Sequence, residues 1–346
     1  MRKFIVFFLA LFFVLPLCFA DGYKVLFIGN SYTQVNNLPQ VIAALAESTG
    51  DTLFYDSNTP GGYTFRNHLN NATTNAMIKE GGWDYVVLQG QSQEPSFPDS
   101  QFMSQTYPYA KQLCELVRQY NPSANVVFYM TWGRKNGDSD NCPVFPPLCT
   151  YEGMDSLLYL RYMTMARDFD SQVSPVGALW HYLRDNHPEI ELYASDGSHP
   201  SLAGTYAAAC SFYAILFHKN PLLINNDYTL SSDVSNKIRI AAERVVYDSL
   251  AKWFVNIPTN INTISRTPVI QLFPNPASNN ITFVADFIPT NISVYNMLGQ
   301  LSFSYDDVQS KEMNLDISFL KNGMYLMQII DNKQNKYFYK FVKKYN

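Results

Sequence analysis

Histidine is scarce in this chain, with five residues in 346. Any chemistry that needs an imidazole must use His68, His181, His187, His199 or His218. Cysteine is just as scarce, also five, and no Cys/His spacing has the pattern of a zinc site. Positive charge is short as well. The formal net charge is -4 and no basic run appears before the last few residues, which argues against nucleic acid as a partner. Beyond the first twenty residues no apolar run reads as a membrane span.

The one long apolar run lies at the start. Arg2 and Lys3 are followed by apolar residues from Phe4 to Leu17 and by Cys18-Phe19-Ala20. That order of charge, apolar stretch and small exit residue reads as a secretory signal peptide over residues 1–20, cut after Ala20. A lipoprotein reading would acylate Cys18, but the bulky Leu17 before it fits poorly. Export permits disulfides. Cys142 and Cys149 lie in one Pro-rich loop and could staple it, whereas Cys114 and Cys210 fall in helical patterns and read as buried thiols.

What is abundant is apolar and aromatic surface. Hydrophobic residues make up 47% of the chain, enough for a sizeable core, and the length suits about two domains. Tyr and Phe number 24 each. On an exposed groove such rings would suit sugars; elsewhere they are core. From residue 21 to 256, strand-like runs alternate with helical ones: Tyr23–Phe27, Thr52–Tyr55, Trp83–Leu88, Val126–Met130 and a short last run, Glu191–Tyr193. Alternation of this kind predicts a flavodoxin-like three-layer α/β/α domain on a parallel sheet, with right-handed crossovers. Helices are expected over 103–120, 151–169 and 231–254. Residues 257–267 read as a linker. Beyond them, at 268–346, short alternating runs such as Ile281–Val284, Ile292–Tyr295, Gly323–Ile329 and Tyr337–Val342 predict a small all-β sandwich.

The stretch that organises the first domain is Ile28-Gly29-Asn30-Ser31-Tyr32-Thr33. Ser31 falls between a strand and an amphipathic segment, at the carboxyl edge of the sheet where ligands collect. Gly29 permits a turn without a Cβ clash, and the following N–H groups point outward, where they can hold an anion. A hydroxyl beside free N–H groups is half of an acyl-transfer site. The competing reading is a serine that caps a helix. The other half would be His199, the one histidine that follows a short strand and has an acid three residues before it, Asp196. A buried Asp196 would fix the imidazole tautomer and stabilise the imidazolium; the competing reading is a turn-capping aspartate beside a surface histidine. His68 reads as support for a loop. Adjacent glycines at Gly61-Gly62 end the second strand and Gln89-Gly90-Gln91-Ser92-Gln93 ends the third, so the parts converge on one rim. The loop of residues 134–150 could wall a cleft, with Trp132 as a stacking platform. No Gly-x-Ser-x-Gly elbow occurs, unlike α/β-hydrolases.

Gly29-Asn30-Ser31-Tyr32-Thr33 resembles the first block of the SGNH (GDSL-like) hydrolases, and Asp196-x-x-His199 their last. Gly62 matches the glycine of their second block. The likeness runs from about Tyr23 to Phe217. It implies Ser31 as nucleophile, His199 as base and Asp196 as its orienter, with Asn30 at the substrate. The N–H groups of Ser31 and Gly62 would join a side-chain amide in the oxyanion hole. The third block departs from the family's Gly-x-Asn-Asp. Its Gln-Gly-x-Ser resembles sialate O-acetylesterase-like members, where glutamine can fill the role, which points to Gln89 first and Gln91 second. Such a site needs no metal and no cofactor. At the other end, Leu272–Ala277, Val294–Gln300 and Leu320–Tyr325 resemble the type IX secretion sorting domain of Bacteroidetes-type bacteria. The two resemblances together imply a secreted or cell-surface serine esterase, handed to the type IX secretion machinery, that deacetylates a polysaccharide or smaller sugar ester. Two other readings use the same groove: a glycan-binding protein without catalysis, and an esterase for lipids or thioesters.

Overall fold

A computed structural model of the chain describes residues 22–255, 270–285, 287–296, 300–306, 308–332 and 336–344. The expected signal peptide at 1–20, the linker at 257–267 and part of the motif at 294–300 lie outside the described residues. The chain divides into two compact units between Pro258 and Thr259.

The first unit is built on five strands: β1 (Gly22–Ile28), β2 (Thr52–Asn58), β3 (Tyr85–Leu88), β4 (Asn125–Tyr129) and β5 (Gln172–Ser174). Their order is β2-β1-β3-β4-β5, and every pairing is parallel. Val25 to Ile28 and Val86 to Leu88 are buried without a polar interruption, as a sheet covered on both faces requires. One cover is the helix Leu202–Phe217, whose residues after Leu202 are all buried, with Phe212 set edge-on to Phe27 and Tyr129. On the opposite side Phe128 meets Phe65 and Tyr162. A helix apolar on all sides belongs in such a central position.

Three expectations about elements are corrected. Glu191–Tyr193 is not a strand; it makes one isolated bridge, Tyr193 to Pro200, and proline has no N–H to extend a ladder. The fifth strand is Gln172–Ser174, too short and too polar to stand out in the sequence. The helix expected over 103–120 is two, Asp99–Gln105 and Tyr107–Tyr120, parted at Thr106, because Pro108 suits only a first turn. The helix expected over 231–254 ends at Val245 and continues as the tighter 3-10 segment Tyr247–Trp253.

The second unit contains, among the described residues, two antiparallel sheets. Strands β6 (Ile270–Phe273), β7 (Asn280–Ala285) and β10 (Glu312–Asp316) form one. Strands β8 (Asn291–Asn296), β9 (Leu301–Asp306), β11 (Gly323–Ile330) and β12 (Lys336–Lys343) form the other. Burial alternates along β7 and β11, and the inward residues, among them Ile281, Phe283, Val294, Met327 and Phe341, share one core.

Candidate active site

The register of the parallel sheet brings three strand ends level. Ile28 pairs with Asn58 and with Leu88, so the turns that follow β1, β2 and β3 leave the sheet together. The Gly29 N–H donates to the Asn58 carbonyl at 3.1 Å and the Gln89 N–H to the Ile28 carbonyl at 2.8 Å. Ser31 opens the short helix Ser31–Gln34, capped by Asn30, whose Oδ1 accepts from the Tyr32 N–H.

Across this rim stands His199. Its Nε2 lies 2.9 Å from the Ser31 Oγ, and its Nδ1 lies 2.5 Å from Asp196 Oδ2. A carboxylate oxygen only accepts, so Nδ1 carries the hydrogen and Nε2 is free to accept from the serine hydroxyl. The other carboxylate oxygen, Oδ1, accepts from the Ser198 and His199 N–H groups. Burial works against the charge, but the bond from the His199 ring and these two amides hold the Asp196 carboxyl at about 2. The expectation of a buried carboxylate is corrected: the side chain is 49% exposed, and hydrogen bonds rather than enclosure fix it. Beside Asp196 an open polar depression of about 430 Å³ is lined by Lys135, Asn136, Tyr193 and Ser195. The Ser31 N–H and the Gly62 N–H have no acceptor among the described residues. Gly62 occupies a left-handed turn, φ +71°.

Three residues are not where the sequence reading put them. Gln89 is fully buried. Its Oε1 accepts from the Asn30 N–H and the Thr33 hydroxyl, and one hydrogen of its Nε2 goes to the Gly90 carbonyl, so the amide is engaged from both ends in bracing the Ser31 turn. Asn30 is also buried, and its Nδ2 donates to the carbonyls of Tyr63 and Gly90. It ties together the three loops instead of meeting substrate. Trp132 is fully buried, stacked between Tyr32 and Trp180, and offers no platform to a sugar. Tryptophan at a strand end has an apolar body that the core claims first. Gln91, half-buried, caps the turn after it: its Oε1 accepts from the Gln93 and Glu94 N–H groups, and its Nε2 donates to Gln93 Oε1.

The sequence reading did not single out Tyr32 or Ser198. The Tyr32 hydroxyl is 2.7 Å from Ser198 Oγ, and the signal was their place beside Ser31 and His199. The disulfide Cys142–Cys149 is formed, and Cys114 and Cys210 are buried free thiols. That loop is held by Asp138, a buried carboxylate that accepts from Arg134, Gln93, Asn141 and the Asp140 N–H. Among the described residues no cluster of three or more His, Cys, Asp or Glu could hold a metal ion, and no helix is long and apolar enough to cross a membrane.

Comparison with known proteins agrees with this architecture. The α/β unit has the fold of a DUF4886 family protein from Bacteroides uniformis, at 19% identity and a TM-score of 0.54, with 65% of this chain and 94% of the other covered. A candidate SGNH hydrolase from Slackia heliotrinireducens is similar at 25% identity and a TM-score of 0.47, over 57% of this chain and all of the other. Residues 271–344 match the model of the secretion system C-terminal sorting domain. The chain thus joins an α/β unit of this fold to a secretion sorting tail, and the tail indicates export to the surface or the medium. No curated protein sequence matches it.

Proposed function

We propose that the α/β unit is an exported serine esterase that removes acetyl groups from carbohydrate by way of an acyl-enzyme. The observation that carries this is the continuous contact from Ser31 Oγ to His199 Nε2, 2.9 Å, and from His199 Nδ1 to Asp196 Oδ2, 2.5 Å. Ser31 Oγ attacks the ester carbonyl while its proton passes to His199 Nε2. The N–H groups of Ser31 and Gly62 receive the oxyanion, while the Gln89 and Gln91 amides keep their bracing roles. The imidazolium then gives its proton to the departing alcohol. Water attacks the acyl-enzyme with His199 as base, acetate leaves, and the Ser31 hydroxyl is restored.

The carbohydrate preference draws on the polar depression beside Asp196, the sorting tail and the Gln-Gly-x-Ser block; the buried Trp132 no longer contributes. On this reading residues 1–20 are a cleaved leader, 21–256 the esterase domain, 257–267 a linker and 268–346 the sorting domain. A fluorophosphonate probe tests the core claim. The wild type should be labelled and should hydrolyse p-nitrophenyl acetate, and Ser31→Ala should do neither. Folded protein that neither reacts nor turns over would overturn the esterase and favour a glycan-binding groove. Acetate released from acetylated polysaccharides, set against longer acyl esters, separates the sugar from the lipid substrate.

A further inference from the structure

We propose that Tyr32 and Trp132 are positioning residues that hold His199 in register with Ser31, and that they act through Ser198. The ring of His199 has two hydrogen-bond partners, Asp196 and Ser31, and it stands on a loop whose acid is half-exposed. What keeps that loop in place is the residue just before the histidine. Ser198 is gripped twice: its Oγ lies 2.7 Å from the Tyr32 hydroxyl, and its carbonyl accepts from the Trp132 indole N–H at 3.1 Å. Both gripping residues are buried. Their rings are stacked at 4.7 Å and 3°, Trp132 is stacked on Trp180 at 3.8 Å and 13°, and Trp180 stands edge-on to Tyr193. The rings of Tyr32 and His199 also meet in a T-shaped pair, with centroids 5.4 Å apart.

Two consequences follow. A buried indole N–H needs an acceptor, and here the acceptor is the carbonyl that leads directly into the base. Tyr32 is the next residue after Ser31, in the same helical turn, so the hydroxyl that attacks and the hydroxyl that braces the base move as one. The path Ser31, Tyr32, Ser198, His199 closes on itself through the 2.9 Å contact between Ser31 and His199. Burial raises the Tyr32 phenol, so it stays neutral over any working pH and the brace does not switch. This is a rigid support of the kind that keeps reacting groups aligned.

The kinetic test rests on the esterase reading above; a spectroscopic arm does not. Tyr32→Phe keeps the ring and its stacking but removes the hydroxyl, and Ser198→Ala removes its partner. Each should lower kcat about tenfold, short of the ~10²-fold that a 1 Å misplacement can cost, with KM within about twofold. Because both act through one bond, the double variant should be no slower than either single one. Ser198→Thr, which keeps the hydroxyl, should restore most of the rate. Independent effects that multiply to about a hundredfold, or single variants at wild-type kcat, would overturn the proposal. If the wild type turns over no ester, the esterase reading falls, and the imidazole NMR signal of His199 decides this one. Its Nδ1–H resonance should resist solvent exchange in the wild type and broaden away in Tyr32→Phe and Trp132→Phe. An unchanged resonance in both variants would overturn the positioning role.

Discussion

His68 lies beneath the Ser31 turn, fully buried, and its protonation should be visible in the stability of the folded chain. The Gly29 carbonyl, 2.7 Å from Nε2, can only accept, so Nε2 carries the hydrogen. The Thr74 hydroxyl accepts from Asn58 Nδ2 and turns its own hydrogen to Nδ1, 2.9 Å away. Both ring positions therefore suit the neutral imidazole, and burial lowers its pKa from 6.5 to about 4. A histidine lowered on folding stabilises the native state above the unfolded pKa, and that stability is lost as pH falls from 6.5 to about 4. At about 1.36 kcal/mol per unit the displacement is worth about 3 kcal/mol. Glu94 opposes it. Burial raises that carboxyl from 4.5 to about 7, so its contribution is lost as pH rises through an overlapping window. The observable is therefore the difference between wild type and His68→Gln, followed by urea unfolding between about pH 4 and 7.5. The variant should be the less stable at neutral pH, and the gap should close by about 3 kcal/mol toward pH 4. A gap that stays constant across this range would refute the assignment of His68 as a buried neutral histidine.

Asp196, held at about 2, stays ionised throughout any practical assay, so the acid limb of kcat/KM belongs to another group. Asp196→Asn should lower kcat by up to about 10⁴-fold through loss of the tautomer; a loss below about tenfold would show that His199 needs no orienter. Glu94→Gln should stabilise the protein above pH 7 by about 1–2 kcal/mol, discounted for partial exposure, and should leave stability unchanged near pH 4, both measured by urea unfolding. Asp138→Ala strands Arg134 and Asn141 in the disulfide loop and Gln93 in the turn beside it and should cost about 3–5 kcal/mol, read as a fall in Tm; a loss under about 1 kcal/mol would show the loop to be held by its disulfide alone.

The parallel sheet was legible because its central strands are unbroken apolar runs, and such runs have one physical use in an α/β chain. The fifth strand was not, since three residues, two of them polar, carry no period. At the rim, Ser31, Asp196 and His199 could be singled out because a serine after an apolar strand and an acid three residues before one of only five histidines make a rare combination. The amides beside them could not be apportioned. Glutamine and asparagine present the same donors to an oxyanion and to a backbone carbonyl, and the choice depends on distances of a few tenths of an ångström. Trp132 misled for a related reason: its face suits a sugar or another ring equally, and only the arrival of Trp180 from a distant helix decides which.

Gly29 shows how close that apportioning is. In the sequence it reads as freedom to turn, yet it does not have a left-handed φ. What it lacks is room: a Cβ there would lie 2.5 Å from Thr33 Oγ1 and 2.7 Å from Gln89 Oε1. The longer amide of Gln89 reaches back over the glycine to the Asn30 N–H, and the missing side chain at 29 is what admits it. Gly29→Ala should therefore push Gln89 away, leave the buried Asn30 N–H without its acceptor, and tilt the turn that carries Ser31. Overpacking of this sort costs about 1–3 kcal/mol, and the unpaired N–H about 1–3 kcal/mol more. Tm should fall, and the rate of fluorophosphonate labelling should fall with it at a temperature where the variant is still folded. Gly29→Ala with wild-type Tm and labelling rate would mean that Gln89 has slack, and that its amide is free to face the oxyanion after all.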